Sequence, residues 1–578
     1  MRNTARFVTL LVAAAVTCAS CGTSPAGGPA ENAGAPARGI SRGGNLVVSI
    51  RAEPRSFNRL SARDSATDLL TNLTQAKLVR INKVTQEVEP SLAESWTRSD
   101  DGRRYTLKLR PGVVFSDGQP FTSADVVFSF KAVYDEKTGS NLADSLTANG
   151  KRLQVTAIDP QTVELVFAEP FAAGVRLLNN LPILPRHKLE AALDAGQLGN
   201  AWSLSSPPSD IVGLGPFVLS DYAPGQQLEF DRNPRYFRKE PDGSLLPYLD
   251  RLTIQIVSDQ NAEMLRLEAG QTDVTETQIA PEAYAPLKRA ADAGRVKLLD
   301  LGVGLDANSL WFNLKPAAFA GDPRAAWLQR DELRQAISLA VDRKLFADTV
   351  YLGAAVPVFG PITPANKQWF WSGLPETPHD PQAAKQKLAA IGLTDRNGDG
   401  MLEDARNRPA RFTLLTQKGR PDLERACAVI RDEMKKIGVV VDVVAIDFSA
   451  LIDRFANTGK YEAVYFSAYA TDTDPALNPD FWFSFGSAHL WNMAQKTPAT
   501  DWERRIDELM AKQIASPDDN ERKRLFNEVQ QVFAEHAPVV YFAAPRVYVA
   551  VSSRVTNLMP AISRPQTLWA PDTIAVSR

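Results

Sequence analysis

The chain has 578 residues, more than one hydrophobic core usually organises, so two or three domains are expected. Hydrophobic residues make up 44% of the sequence and charged residues 23%, and the formal net charge is -2. This balance argues against a nucleic-acid-binding surface and against an acidic tail for a cationic partner.

Metal-ligating and nucleophilic residues are sparse. The four histidines lie far apart, and neither they nor the three cysteines have the spacing of a zinc or haem site, so neither a metal nor a cofactor is expected. Cys427 lies in an apolar segment, where it is expected to fill buried space rather than act as a nucleophile. His187 follows a proline-rich segment and is expected to be a structural turn residue.

The N-terminus predicts an exported protein. Arg2 and Arg6 precede an apolar run over residues 7–16 that is too short to span a bilayer as a mature helix. The following Ala-Ser-Cys21 is similar to the lipobox of bacterial lipoproteins, in which the cysteine is lipidated. Cys18 stands where the lipobox usually has leucine, so cleavage without lipidation is the alternative.

The segment after Cys21 favours lipidation. Residues 22–43 are rich in Gly, Ala, Pro and Ser, a composition typical of a flexible tether. We therefore predict that residues 1–21 are a lipoprotein signal peptide and that Cys21 anchors the protein to a membrane without making it an integral one.

Residues 90–130 carry the clearest local pattern. After a turn rich in Asp and Gly, Tyr105, Leu107 and Leu109 alternate with polar residues, which predicts the second strand of a hairpin. Thr122 lies three residues before Asp125 and just ahead of an apolar run, a spacing that predicts a capped helix start.

The same stretch carries a family resemblance. Its two parts read PSLAESW and SDDGRRYTLKLRPGVVFSDGQPFTSADVVFSF. Together they closely resemble the signature of the family 5 extracellular solute-binding proteins, which serve ABC importers of oligopeptides, dipeptides, nickel and some oligosaccharides. Further segments that resemble family motifs are LPILPRH, VGLGPF, RNPRYF, LPYLD and DELRQAISLAVDR. The resemblance covers the chain from about residue 44 to its last residue.

The resemblance implies an α/β, periplasmic-binding-protein-like fold of class II. Two lobes would surround a hinged cleft, and an extra domain would be inserted in the first lobe. The expected boundaries are 44–73, 211–306 and 541–578 for lobe I, 74–210 for the inserted domain and 307–540 for lobe II.

The resemblance also implies a function without catalysis. Such a protein captures oligopeptides or dipeptides outside the cytoplasmic membrane, in the periplasm or an equivalent space, and delivers them to the ABC permease subunits. A monomer without a nucleic-acid partner is expected. The alternatives are a receptor for nickel chelates or oligosaccharides in the same family, and a sensory ligand-binding module. The sequence has no serine nucleophile elbow and no HExxH motif, which favours binding over hydrolysis.

The region from residue 465 to 492 is the richest candidate for ligand binding. In peptide-binding members of the family, an aspartate four residues before a proline pairs with the α-ammonium of the ligand. Here Thr471 holds that place relative to Pro475, and Asp472 and Asp474 lie three residues and one residue before it. Both aspartates are ligand candidates, and an Asx-turn that opens a loop is the alternative interpretation.

Three further residues of this region are candidate ligand contacts. Trp482, Trp491 and Asn492 provide aromatic surface and a polar side chain, as a binding cleft requires. Trp491 is expected to line the cleft more readily than either aspartate, although a core position is the alternative for both tryptophans.

Residues 395–400 resemble a calcium loop, with oxygen-bearing side chains at alternating positions before a glycine. Arg406, however, occupies position twelve, where an EF-hand has a bidentate glutamate. A tight turn is therefore expected, and calcium bound with the help of Glu403 or Asp404 is the alternative.

Hydrophobic periodicity predicts further elements. Helices are expected at residues 69–79, 262–267, 331–343, 422–437, 502–510 and 521–533, and strands at 44–50, 252–256, 439–444 and 539–542. The strand at 439–444 is so apolar that both of its faces are expected to be covered. The charged residues of the helix at 331–343, Arg334 and Asp342 included, are expected on a solvated face, with structural ion pairs as the alternative.

Gly213 and Gly215 are expected to give backbone room rather than bind phosphate. Pro216 follows them directly, and a proline interrupts the run of amides that a phosphate loop needs.

Overall fold

The computed structural model describes residues 40–62, 64–148, 150–467, 472–493 and 495–577. The predicted signal peptide, the lipidated Cys21 and nearly all of the tether lie outside these residues. The chain from Ser41 onward forms one compact unit. Within the described ranges, no helix combines the length and apolar character needed to cross a membrane.

The strands and helices alternate along the chain in a mixed α/β order. The strands are β1 (Asn45–Ile50), β2 (Val79–Ile81), β3 (Val88–Pro90), β4 (Ala93–Arg98), β5 (Arg104–Leu109), β6 (Thr147–Ala148), β7 (Lys151–Arg152), β8 (Gln154–Asp159), β9 (Thr162–Val166), β10 (Phe217–Ala223), β11 (Gln227–Arg232), β12 (Arg251–Ile256), β13 (Val274–Thr275), β14 (Lys297–Val303), β15 (Asn308–Phe312), β16 (Ala355–Pro357), β17 (Arg411–Gln417), β18 (Val440–Ile446), β19 (Ala463–Ser467), β20 (Val539–Tyr541), β21 (Ala543–Val551), β22 (Val555–Thr556) and β23 (Ala575–Val576). The helices are α1 (Ser65–Thr74), α2 (Ser123–Tyr134), α3 (Gly174–Leu177), α4 (Arg186–Asp194), α5 (Gln260–Glu268), α6 (Pro281–Asp292), α7 (Ala325–Leu328), α8 (Asp331–Ala340), α9 (Arg343–Val350), α10 (Pro381–Ala390), α11 (Pro421–Lys436), α12 (Phe448–Ile452), α13 (Pro479–Trp482), α14 (Asp501–Ala515) and α15 (Asp519–His536).

An eight-stranded sheet gathers strands from distant parts of the chain. Its order is β10-β11-β12-β1-β13-β21-β14, and β16 pairs with β21. The predicted strands at 44–50 and 252–256 are confirmed, and they pair in parallel as β1 and β12. Leu46 lies beside Leu252 and Val48 beside Ile254, and all four side chains are fully buried. Burial of these apolar positions holds the centre of the sheet.

A five-stranded sheet, in the order β18-β17-β19-β15-β20, forms the second large layer. The expectation that both faces of the strand at 439–444 are covered is wrong. This strand, β18, is at the edge of the sheet, and the side chain of Val444 is 39% exposed. An apolar run alone does not distinguish an edge strand from a central one, because the difference depends on which strands pair.

The region between α1 and β10 contains a smaller sheet, in the order β4-β5-β9-β8. The predicted hairpin is confirmed as β4 and β5, which pair antiparallel. The capped helix is confirmed as α2, since the backbone N–H of Thr122 donates to the carboxylate of Asp125 at 2.9 Å. Local sequence signals therefore predicted the β4–β5 hairpin and the start of α2 correctly.

The helix predicted at 69–79 begins and ends earlier than expected, as α1. Asp64 caps it by accepting a hydrogen bond from the N–H of Thr67 at 2.9 Å, and Val79 belongs to β2 instead. The two glycines of the VGLGPF motif pack against the end of α1. A Cβ atom on Gly213 would lie 2.0 Å from the carbonyl oxygen of Thr74, so this close approach requires glycine.

The charged residues of α8 do not all face solvent, which corrects the sequence-based expectation. Arg334 is fully buried and forms an ion pair with Asp331 at 2.5 Å. Its guanidinium also donates to the carbonyl oxygens of His536 and Ala537, at the C-terminal end of α15. Asp342 instead caps α9, where it accepts from the N–H of Lys344 at 2.8 Å. Arg334 thus ties α8 to the end of α15.

The chain passes between the two large sheets four times, because β16 follows β15 in sequence but pairs with β21. The first and the last of these passages are short connections. The chain leaves the eight-stranded sheet at Val303 and enters the five-stranded sheet at Asn308, and it returns between Tyr541 and Ala543. The expected crossing strand at 539–542 therefore belongs to the five-stranded sheet as β20, and β21 continues directly into the other sheet.

Candidate ligand-binding cavity

A cavity of about 1230 Å³ lies where the two large sheets meet the region of the smaller sheet. The eight-stranded sheet contributes Arg546 and Tyr548, and the five-stranded sheet contributes Asn308 and Tyr541. The connection between β14 and β15 also lines the cavity, so the residues that join the sheets form part of its wall. Further walls come from the turn between β2 and β3, the segment after β19 and the stretch after β22, and also from residues within 176–180, 278–282, 351–366 and 420–422.

Asp472 lies at the cavity but already has a cationic partner. The Nε atom of Arg176 is 2.5 Å from Asp472 Oδ1, and the two side chains are only 8% and 9% exposed. The same guanidinium donates to the carbonyl oxygen of Gln86 at 2.7 Å and to Thr473 Oγ1 at 2.8 Å. Arg176 therefore neutralises Asp472 and fixes its orientation.

Asp472 and Asp474 both organise the turn that carries them. Asp472 Oδ1 accepts from the N–H of Asp474 at 2.8 Å, and Asp474 Oδ1 accepts from the N–H of Ala476 at 2.9 Å. These bonds match the Asx-turn interpretation of the sequence. Asp474 is buried outside the cavity lining, and its carboxylate pairs with Arg522 of α15 at 2.6 Å.

The structure separates the aromatic candidates. Trp482 lines the cavity, whereas Trp491 is 1% exposed and lies outside the lining. The ring of Trp491 packs against His489, and its Nε1–H donates to Glu503 Oε1 at 3.1 Å. Asn492 is also buried outside the lining, where its Nδ2 donates to Gln495 at 2.5 Å. Trp491 and Asn492 thus pack beneath the residues that line the cavity and do not line it themselves.

Glu503 holds this supporting layer together. Its Oε1 lies 3.1 Å from His489 Nε2 and 3.0 Å from Gln495 Nε2, and its Oε2 accepts from the backbone N–H of Thr500 at 3.0 Å. Burial alone would raise the pKa of Glu503, but the hydrogen bonds from His489, Gln495 and Trp491 outweigh it and lower the pKa to about 2. Glu503 is therefore a buried carboxylate that stays charged.

Lys83 and Arg564 form what we call the cationic wall of the cavity. Lys83 Nζ donates to the backbone oxygen of Arg564, and Arg564 Nη2 donates to Gln278 Oε1 at 2.6 Å. In the described part of the chain, neither side chain has a carboxylate as an ion-pair partner. Burial and, to a smaller extent, the charge of Lys77 lower the pKa of Lys83 to about 7. This shift is only partly opposed by the charges of Glu276, Asp472 and Asp68.

No pattern in the sequence indicated the cationic wall. Its two residues are separated by 481 positions, and neither belongs to a motif that marks a charge for ligand binding. Only the folding of the last segment onto the turn between β2 and β3 brings them together. Glu276 anchors that segment by accepting from the N–H groups of Thr567 and Leu568 at 2.9 and 3.0 Å.

The other residues singled out in the sequence have local structural partners. His187 lies in the first turn of α4, with Nε2 2.8 Å from Asp117 Oδ2. Cys427 is fully buried in α11, and burial raises the pKa of its thiol to about 12. The Asp395 carboxylate accepts from the N–H groups of Gly398 and Gly400 at 2.7 and 3.0 Å, as a tight turn requires. Across the described ranges, no cluster of three or more His, Cys, Asp or Glu residues is arranged to hold a metal.

Comparison with known proteins identifies the family. The model described as "Bacterial extracellular solute-binding proteins, family 5 Middle" matches residues 87–489 of the chain. The chain belongs to this family. The resemblance inferred from the motifs of residues 90–130 is therefore confirmed.

Relatives of this solute-binding protein align along nearly its whole length. It is 29% identical over 532 residues to a probable ABC transporter-binding protein of Deinococcus radiodurans, covering 87% of this chain and 88% of that protein. It is 26% identical over 561 residues to the oligopeptide-binding protein AppA of Bacillus subtilis, covering 94% of each.

A solved structure confirms the fold class. The ABC transporter substrate-binding protein CtaP of Listeria monocytogenes superposes with a TM-score of 0.75 at 23% identity, covering 93% of this chain and all of that one. The mixed α/β, periplasmic-binding-protein-like architecture expected from the sequence is thus the architecture of this solute-binding protein.

Proposed function

We propose that this protein is the substrate-binding protein of an ABC transporter and captures oligopeptides or dipeptides outside the cytoplasmic membrane. The observation that carries the proposal is the cavity of about 1230 Å³ bounded by both large sheets. Pockets of roughly 300–1,000 Å³ hold drug-sized ligands, so this cavity has room for a peptide of several residues. The similarity to an oligopeptide-binding protein and to a probable ABC transporter-binding protein supports both parts of the proposal.

The proposed mechanism is capture by closure. Lobe I comprises residues 44–73, 211–306 and 541–578, residues 74–210 are an inserted domain, and residues 307–540 form lobe II. Ligand bound between the lobes stabilises their closed arrangement, which the permease subunits recognise. The protein performs no chemistry on the ligand, and the partner ATPase supplies the energy for transport.

Two of the candidate residues are proposed as ligand-facing. Trp482 offers an aromatic surface to apolar side chains of a peptide, and Asp472 shapes the neighbouring wall together with Arg176. Asp474, Trp491 and Asn492 act indirectly by fixing the segment that carries these two residues.

The proposed location is the outer face of the cytoplasmic membrane. Residues 1–21 are removed as a signal peptide, a lipid on Cys21 anchors the protein, and residues 22–43 serve as a tether for a monomer. The lipobox-like sequence and the composition of the tether support this part of the proposal.

Native mass spectrometry tests the ligand class directly. The purified protein is incubated with a tryptic digest of casein, separated from unbound material and then denatured. A retained set of short, uncleaved peptides is the expected result. Failure to retain any peptide would contradict the peptide assignment, and release of a co-purified sugar or metal chelate would replace it. Cleaved products would contradict the absence of catalysis.

A further inference from the structure

The carboxylate expected to receive a ligand ammonium is already occupied. Asp472 and Arg176 form an ion pair at 2.5 Å, and both side chains are more than nine-tenths buried. An ammonium group would have to compete with a guanidinium that is itself held by Gln86 and Thr473. Because displacing Arg176 would leave a buried cation without its partner, Asp472 is poorly suited to bind a second cation.

The other carboxylates of the cavity do not replace Asp472. Asp422 is 2.9 Å from Arg420, and Glu282 is 2.7 Å from Arg425. Asp306 also interacts with a neighbouring group. Asp480 is exposed to solvent, where screening weakens its attraction for a cation.

Among the cavity-lining cations, the charges of the cationic wall stand out. Arg51 pairs with Glu263 at 3.6 Å, and Arg546 pairs with Asp300 at 2.7 Å. Neither of these carboxylates belongs to the cavity lining. By contrast, the described residues that Lys83 and Arg564 contact are a carbonyl oxygen and the amide of Gln278. Glu276, a carboxylate close to Lys83, is outside the lining and accepts hydrogen bonds from residues 566–568.

We propose that this protein recognises its ligand through an anionic group, a carboxylate, bound by Lys83 and Arg564, and that Asp472 does not bind a ligand ammonium. A half-buried lysine with no directly paired carboxylate among the described residues gains more from an incoming carboxylate than a solvated lysine does. Arg564 adds a planar fork of donors that matches the two oxygens of a carboxylate. This inference rests on the proposed function, in which the anionic group is the α-carboxylate of a peptide.

Calorimetric titration with three matched peptides tests both parts of the inference. The probes are trialanine, N-acetyl-trialanine and trialanine amide. Removing the ammonium charge is expected to change the affinity less than threefold, whereas removing the carboxylate charge weakens it by at least about tenfold. The inference would be overturned if the amide bound as tightly as trialanine, or if acetylation caused the larger loss.

Charge-removing variants locate the effect. The double variant Lys83→Met/Arg564→Met is expected to lose at least about tenfold in trialanine affinity. The control Lys344→Met/Arg411→Met removes the same charge from exposed side chains on α9 and β17 and should stay within twofold. Equal losses in the two double variants would contradict a specific anion site, and the wild-type peptide series still tests the inference if the first variant does not fold.

A non-peptide probe separates this inference from the proposed function. If none of the three peptides binds, the peptide assignment fails, and glutarate is compared with glutaramide by thermal shift. A higher Tm with glutarate alone, lost in Lys83→Met/Arg564→Met, would support the anion site without a peptide ligand. No shift with glutarate would overturn the anion site as well.

Discussion

At Lys83, a single protonation couples ligand affinity to pH. Burial lowers the pKa of this lysine to about 7, and a bound carboxylate would raise it again. The affinity for N-acetyl-trialanine is therefore expected to be constant below pH 7 and to fall as the pH rises above 7, because binding then requires proton uptake. Titration at pH 6 and pH 9 should show a loss of about tenfold or more.

The acetylated peptide is used because its amine does not titrate in this range. Lys83→Met is the matched variant, and its affinity should not vary between pH 6 and pH 9. A wild-type affinity that is independent of pH, or that rises above pH 7, would contradict an anion bound at Lys83.

Arg176 is expected to stabilise the protein through its buried partner. Removing one member of a buried ion pair typically costs about 3–5 kcal/mol, because the other charge is left unpaired. Arg176→Met should therefore lower the free energy of unfolding by several kcal/mol. It should also shift peptide preference toward a free ammonium, since the carboxylate of Asp472 becomes available.

Denaturant unfolding and the trialanine series measure the two effects. The double variant Arg176→Met/Asp472→Leu is the control, in which stability should be largely restored because no charge remains unpaired. If Arg176→Met were as stable as the wild type, the ion pair between Arg176 and Asp472 would contribute little to the free energy of unfolding.

The first turn of α14 depends on the charge of Glu503. Its pKa of about 2 lies below the ordinary value of 4.5, so it contributes stability that is present above pH 4.5 and lost as the pH falls toward 2. A difference of this size corresponds to about 3 kcal/mol, and Glu503→Gln should lower the free energy of unfolding at pH 7 by about that amount.

Unfolding measured across pH checks this assignment. The difference between wild type and Glu503→Gln should narrow steadily from pH 4.5 downward. Glu508→Gln is the control on the same helix. The side chain of Glu508 is exposed, and its ion pair with Arg505 is long, at 3.9 Å, so its charge should contribute little to stability. If the difference in free energy of unfolding between wild type and Glu503→Gln were the same at all pH values, packing rather than charge would explain the effect of the substitution.

Elements were predictable where the signal was local. The hairpin of β4 and β5 and the capping of α2 follow from adjacent residues, and both are confirmed. The burial of Arg334 and the edge position of β18 were not predictable, because each depends on segments far away in the sequence. The buried guanidinium of Arg334, for example, is satisfied by carbonyl oxygens about 200 residues later.

At the scale of the whole molecule, the same contrast applies to the cavity. Of the five residues to which the sequence pointed, Asp472 and Trp482 line the cavity, whereas Asp474, Trp491 and Asn492 lie outside its lining. The sequence did not predict that Arg176 would occupy Asp472, nor that Lys83 and Arg564 would meet. The residues of each pair are hundreds of positions apart in the sequence and meet only in the folded protein. Periodicity and motif spacing therefore carry no information about these pairs.

The contacts across the cavity predict how fast a ligand leaves. Gln86 joins the turn between β2 and β3 to the other side: its Nε2 donates to the carbonyl oxygen of Ala365 at 2.7 Å, and its Oε1 accepts from the N–H of Lys367 at 3.1 Å. Under the proposed closure, such bonds exist only in the closed form. Gln86→Ala should therefore raise the dissociation rate of a bound peptide by about tenfold with little change in the association rate.

Stopped-flow tryptophan fluorescence with trialanine measures both rates. The control is Gln197→Ala, which removes an exposed amide whose side-chain partner among the described residues is the nearby Asn200. A slower association rate with an unchanged dissociation rate in Gln86→Ala would place these bonds in the open form as well. The turn between β2 and β3 would then be a fixed wall rather than part of the closing contact.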